Sequence, residues 1–264
     1  MAHPQKKQND KEKEAYNQLV INYLHHRQAL GWLGISLPFA LIIGSFIWNG
    51  GHIETSISNY FYTCLRDVFV VTLCAVALFL FTYRGYDPKD RKITNIAGAF
   101  GLVTAFVSTN FKNDISLNCY ELLSKRVGDD GKYLPIDSSC LSEPYVITPF
   151  RHADFIGYVH LGCAAIFFLS LAYMAYFQFT IIKDPVTPEK LKRNKFYKAC
   201  ARIILISILA LVPCFISPEL KEFYDQYKLI FWAESICLWA FGVSWLIKGE
   251  FILSDDKAKN VQAN

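Results

Sequence analysis

The sequence predicts an all-α fold: a polytopic membrane helix bundle with six transmembrane helices and both termini in the cytoplasm. Of its 264 residues, 53% are hydrophobic and 19% are charged. The apolar residues form long runs between charged loops, whereas a soluble domain would spread them as amphipathic patterns. A helix needs about 20 mostly apolar residues to cross the roughly 30 Å hydrocarbon core of a bilayer. The runs that approach this length are 31–48, 67–83, 95–110, 155–182, 201–217 and 229–247.

The first run follows a charged segment, residues 1–30, in which no cleavable signal peptide is visible. We therefore interpret 31–48 as a spanning helix that is retained. Just upstream of it, apolar residues recur at helical spacing, namely Tyr16, Leu19, Val20, Tyr23 and Leu24. This spacing predicts either an amphipathic helix on the membrane surface or a helix packed on the inner end of the bundle. The sequence leaves both open.

The later runs complete the transmembrane domain, which extends over 31–248. Three of them, 67–83, 95–110 and 201–217, are short for a bilayer. Flanking aromatic residues and the long stems of Lys and Arg can extend such helices to the interfaces. Residues 249–264 then form a cytoplasmic tail.

The distribution of Lys and Arg sets the orientation. With six spans, the N-terminal segment, the 84–94 and 183–202 loops and the C-terminal tail share one side, and they hold 19 basic residues against 8 on the other. Cytoplasmic loops carry the excess of Lys and Arg. The sequence therefore predicts an integral plasma membrane protein that is N-in and C-in.

The net charge of +4 follows from this bias and requires no nucleic-acid partner. The chain has no zinc-finger spacing, phosphate loop or basic repeat that would indicate one. The predicted partners are membrane lipid, which the basic inner loops would meet, and a small solute or lipid ligand. Whether the chain forms a homo-oligomer is left open.

Residues 111–154 form one long extracytoplasmic loop. Loops longer than about 12–15 residues are often lids or binding loops, and the alternative is a variable surface cap. Cys119 and Cys140 both fall in this loop, where an oxidising compartment would permit a disulfide between them. Cys64 is a competing partner.

Three ionisable residues are predicted to lie near the same depth at the outer side. The second, fourth and sixth runs all enter from outside. Asp67 begins the second, and His160 and Glu234 each lie about 9 Å into the fourth and the sixth, at 1.5 Å per residue. Ionisable side chains in spanning segments usually face the bundle interior or a wet cavity. A shared depth thus suggests a shared site.

Aromatic residues ahead of the second run complete this hypothesis of an outer-facing pocket. Its predicted ligand-binding residues are Tyr60, Tyr62, Arg66, Asp67, His160 and Glu234. Structural alternatives exist: Arg66 could anchor the helix at the interface, Asp67 could favour the helix dipole, and His160 could bond to a neighbouring helix. At the inner end, Lys248 and Glu250 are interpreted as rim residues that extend to the interface.

The stretch "ISNYFYTCLRDVFV", followed by a helix that ends in "YRG", resembles a group of uncharacterised bacterial polytopic membrane proteins. The residues that carry this resemblance are Ile57, Ser58, Tyr60, Tyr62, Thr63, Arg66, Asp67, Val68, Phe69, Tyr83, Arg84 and Gly85. The later "FGVSWLIKGE" at 241–250 is similar too. The resemblance covers the first three helices and the last, implies a location in the bacterial inner membrane, and carries no known activity.

A more remote similarity is to membrane hydrolases of the alkaline ceramidase and progestin-receptor kind, which have seven helices and a zinc held by histidines. Ser58, Asp67, His152 and His160 suggest it. The chain departs from that pattern, because it has six predicted spans and lacks the His-x-x-x-His of the receptor branch in its last helix.

Three functions follow as hypotheses. The first is a membrane protein that binds or moves a small solute or lipid in the outer-facing pocket, without catalysis and without a cofactor. The second is a metal-assisted hydrolase acting on lipid, with zinc as cofactor and a metal-bound water as nucleophile. Its ligands would be His152, Asp154, His160 and Glu234. The third is a structural or interaction subunit of a membrane complex.

Overall fold

The structure, a computed structural model, describes residues 4–48, 51–85, 87–107, 109, 154–182 and 186–253. The all-α prediction is confirmed, since these residues form seven α-helices and no β-strand. The helices are α1 (Pro4–Trp48), α2 (Arg66–Thr82), α3 (Pro88–Phe106), α4 (Asp154–Tyr173), α5 (Pro188–Ala210), α6 (Pro218–Gln226) and α7 (Leu229–Lys248). Two 3₁₀ turns, Ile57–Tyr62 and Val212–Phe215, precede α2 and follow α5, and a π turn, Met174–Gln178, extends α4.

The first helix is much longer than the apolar run within it. α1 has 45 residues, which corresponds to about 68 Å at 1.5 Å per residue. No proline or glycine occurs between Pro4 and Gly31, so nothing in the backbone interrupts the helix there. The amphipathic segment and the first span are therefore one element. Leu24, Arg27 and Leu30 are buried, so the segment just before the apolar run packs against the rest of the bundle.

Two later helices begin at Ser/Thr-Pro signals. Thr187 accepts a hydrogen bond from the backbone N–H of Lys190, and Ser217 accepts one from Leu220. In both, a proline occupies the first turn, where its missing N–H costs no helical hydrogen bond. These caps fix where α5 and α6 start.

The helices pack as a closed ring in chain order. Each of α1 to α4 packs on the next helix, and α7 closes the ring by packing on both α5 and α1. Trp245 of α7 lies at the centre, with ring centroids 4.9 Å from Tyr83 and 5.1 Å from Phe179. The core is thus filled by large aromatic side chains.

Within the described residues, four helical stretches are long and apolar enough to cross a membrane: Lys13–Trp48, Phe155–Gln178, Pro188–Phe215 and Leu229–Lys248. The other two predicted spans correspond to α2, which has only 17 residues, and α3, which begins with the charged run Lys89–Lys92. Whether these two also span the bilayer stays a prediction.

α1 and α7 approach each other closely at a pair of glycines. A Cβ atom added to Gly242 would lie 2.6 Å from the carbonyl oxygen of Gly31, and one added to Gly31 would lie 2.8 Å from the carbonyl oxygen of Gly242. Small residues are what allow apolar helices to bring their backbones together in this way. Close to this crossing, Nε2 of Gln28, which precedes Gly31 in α1, donates to the carbonyl of Gly249 at 2.8 Å.

Candidate functional site

Glu234 anchors the segment that precedes α2. Its carboxylate accepts hydrogen bonds from the backbone N–H of Ile57 at 2.6 Å and from the hydroxyl of Ser56 at 3.1 Å. The backbone N–H of Phe231, one turn earlier in α7, donates to the carbonyl of Thr55 at 2.9 Å. The carboxylate of Glu234 and the backbone bond of Phe231 therefore tie the start of α7 to the 52–65 segment.

His160 joins the same segment to α3 and α4. Its Nδ1 lies 2.5 Å from the carbonyl oxygen of Val107, and its Nε2 lies 2.8 Å from the hydroxyl oxygen of Ser58. Because a carbonyl only accepts, Nδ1 carries the proton, and in the neutral ring Nε2 accepts from Ser58. Ser56 Oγ in turn accepts from the Ser58 N–H at 3.1 Å.

These contacts form one continuous chain of hydrogen bonds, which we call the polar network: Ser56, Ser58, His160 and Glu234. It brings together two of the three ionisable residues that the sequence places at one depth. Nε2 of His160 and the carboxylate of Glu234 have partners within it, and Nδ1 of His160 bonds to the backbone carbonyl of Val107.

The two predicted tyrosines are also held by internal hydrogen bonds. Tyr60 is completely buried, shares a 2.6 Å bond with Ser45 and accepts from the Glu54 N–H at 3.4 Å. Burial raises the pKa of the Tyr60 hydroxyl, which therefore stays protonated. The hydroxyl of Tyr62 donates to the carbonyl of Thr109 at 2.5 Å.

Arg66 and Asp67 lie apart from the polar network. The guanidinium of Arg66 stacks over the Phe61 ring, 4.3 Å from its centroid, a cation–π contact. Asp67 is exposed in the first turn of α2, where a carboxylate favours the helix dipole. The geometry of both residues fits their structural alternatives.

The side chains of two of the four residues in the zinc hypothesis lie outside the part of the chain that the structure describes. His152 and the side chain of Asp154 lie outside the described residues, as do Cys119 and Cys140. Within the part of the chain that is described, no group of three or more His, Cys, Asp or Glu side chains could hold a metal ion. The zinc site and the disulfide both stay predictions.

A second cluster of ionisable residues lies at the other end of the bundle, where α7 ends. Arg27, Arg193 and Lys248 are only 5%, 8% and 9% exposed. A cavity of about 90 Å³ lies among them, lined also by Lys190 and by the carboxylate of Glu250. We call it the basic cavity. Lys248 is therefore not a snorkelling rim residue, as the sequence suggested, but a buried one.

Hydrogen bonds and an ion pair hold the basic side chains around the basic cavity. Arg27 Nη1 donates to the Lys248 carbonyl at 3.0 Å, and Lys248 Nζ donates to the Phe179 carbonyl at 3.5 Å. Arg193 pairs with Glu250, with 3.4 Å between Nη1 and Oε1. Three helices, α1, α5 and α7, thus each contribute a basic group whose position is set by packing.

The sequence contained a signal for part of this site. Lys190, Arg193, Asn194 and Tyr197 follow the i, i+3, i+4, i+7 pattern, which puts them on one face of a helix. Residues of this face line the basic cavity. Arg27 could not be assigned to the same site, because its approach to α7 depends on the ring closing across 221 positions of sequence.

Comparison with protein-family models, curated proteins and solved structures finds no match to this chain. Fold and site geometry therefore carry the functional argument. They define a helix bundle with apolar spans, a self-contained polar network at one end and a basic cavity at the other.

Proposed function

We propose that the protein is a multi-pass membrane protein that binds a small solute or lipid through an anionic group, such as a phosphate, held in the basic cavity. The observation that supports this most is the burial of three basic side chains around a cavity. Ionisable groups buried among spanning helices are costly and commonly mark binding sites.

The charge balance favours an anion as ligand. Four basic side chains line the basic cavity, with Glu250 as the carboxylate among its lining residues. Asp90, which is buried nearby, also interacts electrostatically with Lys248. Among the described residues of the lining, basic side chains outnumber carboxylates, and a bound anion would offset part of the cost of burying them.

The proposal predicts opposite effects of two charge changes. In Arg193→Gln, loss of a charge-assisted hydrogen bond should weaken anion binding by about tenfold or more. In Glu250→Gln, removal of the carboxylate that pairs with Arg193 should strengthen it. Binding is read as the rise in melting temperature of the purified protein in uncharged detergent, titrated with inorganic phosphate, glycerol phosphate and dispersed phosphatidic acid.

The matched control is Lys192→Gln, which removes one positive charge from an exposed position next to Arg193 on α5. It should bind like the unmodified protein. The proposal is overturned if none of the three probes stabilises the protein, or if Lys192→Gln and Arg193→Gln weaken binding equally.

The membrane orientation forms part of the proposal. The protein lies in the bacterial inner membrane, with α2 and α3 also in the bilayer, and both termini face the cytoplasm. The basic cavity then opens at the cytoplasmic side and the polar network lies at the outer side. The positive-inside bias supports this assignment, and so do the four apolar helices.

Cys64, which is exposed just before α2, gives a direct test of orientation. In a variant with Cys119 and Cys140 replaced by Ser, an impermeant maleimide added to intact spheroplasts should label Cys64. A second variant adds Cys64→Ser and introduces His25→Cys at an exposed position on α1. The maleimide should label this new cysteine only after the spheroplasts are lysed. The reverse pattern would invert the topology.

The outer-facing pocket remains a prediction, because most of the loop that would cover it lies outside the described residues. The zinc hydrolase and the structural subunit also remain predictions. The basic cavity is preferred because its side chains surround an open volume, whereas those of the polar network contact one another.

A further inference from the structure

The walls of the basic cavity point to the kind of molecule that carries the anion. We infer that the ligand is an anionic phospholipid, whose phosphate enters the basic cavity while its acyl chains lie along the apolar surface beside it. This inference rests on the proposed function. It adds the identity of the ligand as a lipid rather than a free phosphate.

The first argument is that the cavity is amphiphilic. Besides its basic groups, its lining includes Ile181 and Ile182, which are half-buried, and Phe179. A soluble phosphate would gain nothing from these apolar groups. The glycerol and first methylenes of a phospholipid would bury them, at about 25 cal/mol per Å² of apolar surface removed from water.

The second argument is size. A volume of about 90 Å³ has room for a few water molecules or one tetrahedral anion. The cavity is partly open, so a larger molecule can place its anionic group inside and extend outward.

The third argument is what lies beside the cavity. The neighbouring surface of α5 exposes Leu191, which is 50% exposed and stands next to Lys190. α5 is one of the helices able to cross a membrane, and Leu191 lies among the basic residues at its predicted cytoplasmic start, where lipid headgroups would lie. Basic pockets between membrane helices at the cytoplasmic interface are a known type of headgroup site.

The ends of two helices hold this arrangement in place. The side-chain amide of Asn194 donates to the carbonyl of Thr180 at 3.1 Å, which fixes the segment carrying Ile181 and Ile182 against α5. The apolar wall and the basic wall therefore keep their relative positions. A ligand that matches both is recognised without rearrangement.

The experiment measures how tightly the unmodified protein and two variants bind a phosphate group, once as part of a lipid and once as free inorganic phosphate. Native mass spectrometry and melting curves in uncharged detergent would measure binding of phosphatidic acid and, separately, of inorganic phosphate. Unmodified protein should bind the lipid at least about tenfold more tightly than inorganic phosphate. Ile182→Thr should weaken lipid binding about three- to fivefold and leave phosphate binding unchanged. Arg193→Gln should weaken both.

The control is Ile206→Thr, the same substitution at an exposed position further along α5, which should leave both affinities unchanged. If inorganic phosphate binds as tightly as the lipid, or if Ile182→Thr behaves like Ile206→Thr, the lipid assignment is overturned while the anion site stands. If neither probe binds, the proposed function itself fails.

Discussion

Gly242→Ala is expected to destabilise the protein by about 3 kcal/mol. The added Cβ would lie 2.6 Å from the carbonyl oxygen of Gly31 and 2.6 Å from the Ile35 side chain. The first of these neighbours is backbone, which cannot rotate away, so α1 and α7 would have to separate. Because α7 closes the ring, the separation would disturb the whole bundle. A melting curve of the purified protein in detergent would measure the effect.

Gly162→Ala is the matched control. Gly162 lies within α4, and a Cβ there would meet no atom within 4 Å. Alanine is a better helix former than glycine by about 0.5–1 kcal/mol, so this variant should melt at the same temperature or slightly higher. Equal melting temperatures for the two variants would contradict the close crossing of α1 and α7.

Glu234→Ala is expected to cost about 2–4 kcal/mol and to free the 52–65 segment. It removes the acceptor for the Ile57 N–H and for the Ser56 hydroxyl, and each buried donor left without a partner costs about 1–3 kcal/mol. Glu234→Gln should cost less, because its amide oxygen can still accept from the Ile57 N–H. Melting temperature and hydrogen exchange of the Ile57 amide would measure both effects.

Glu222→Ala, an exposed carboxylate on α6, serves as the control and should change neither quantity. The pair of Glu234 variants also discriminates between two roles of the polar network. If Glu234→Gln melts normally but loses an otherwise measurable ligand, the outer-facing pocket is supported. If its melting temperature falls and no ligand is lost, Glu234 acts only in the internal hydrogen bonds described above.

The sequence predicts that His160 and Glu234 approach one site. It does not predict the groups to which they form hydrogen bonds. Depth along a helix follows from a rise of 1.5 Å per residue. Which way a side chain faces depends on how each helix is rotated in the bundle, and this is set by packing over the whole ring. Asp67 shows the consequence, because it starts its helix as expected but points to solvent.

The sequence did not predict the basic cavity, for a different reason. Hydropathy divides the chain into apolar and charged segments, and Arg27 then falls outside the first apolar run. The absence of Pro and Gly between Pro4 and Gly31 would have predicted that α1 continues through both segments. The meeting of Arg27 with Lys248 depends on contacts across the length of the chain, and no local pattern encodes them.

The seam between α1 and α7 has a consequence for biosynthesis. α1 emerges from the ribosome well before its partner α7, because contacts such as Arg27 to Lys248 join residues 221 positions apart. Such long-range closure is slow compared with local pairing. Until α7 arrives, Arg27 lacks the Lys248 carbonyl as an acceptor, and Gly31 lacks the helix that packs against it. A chain that stalls before α7 would therefore present an unsealed helix bundle to proteases.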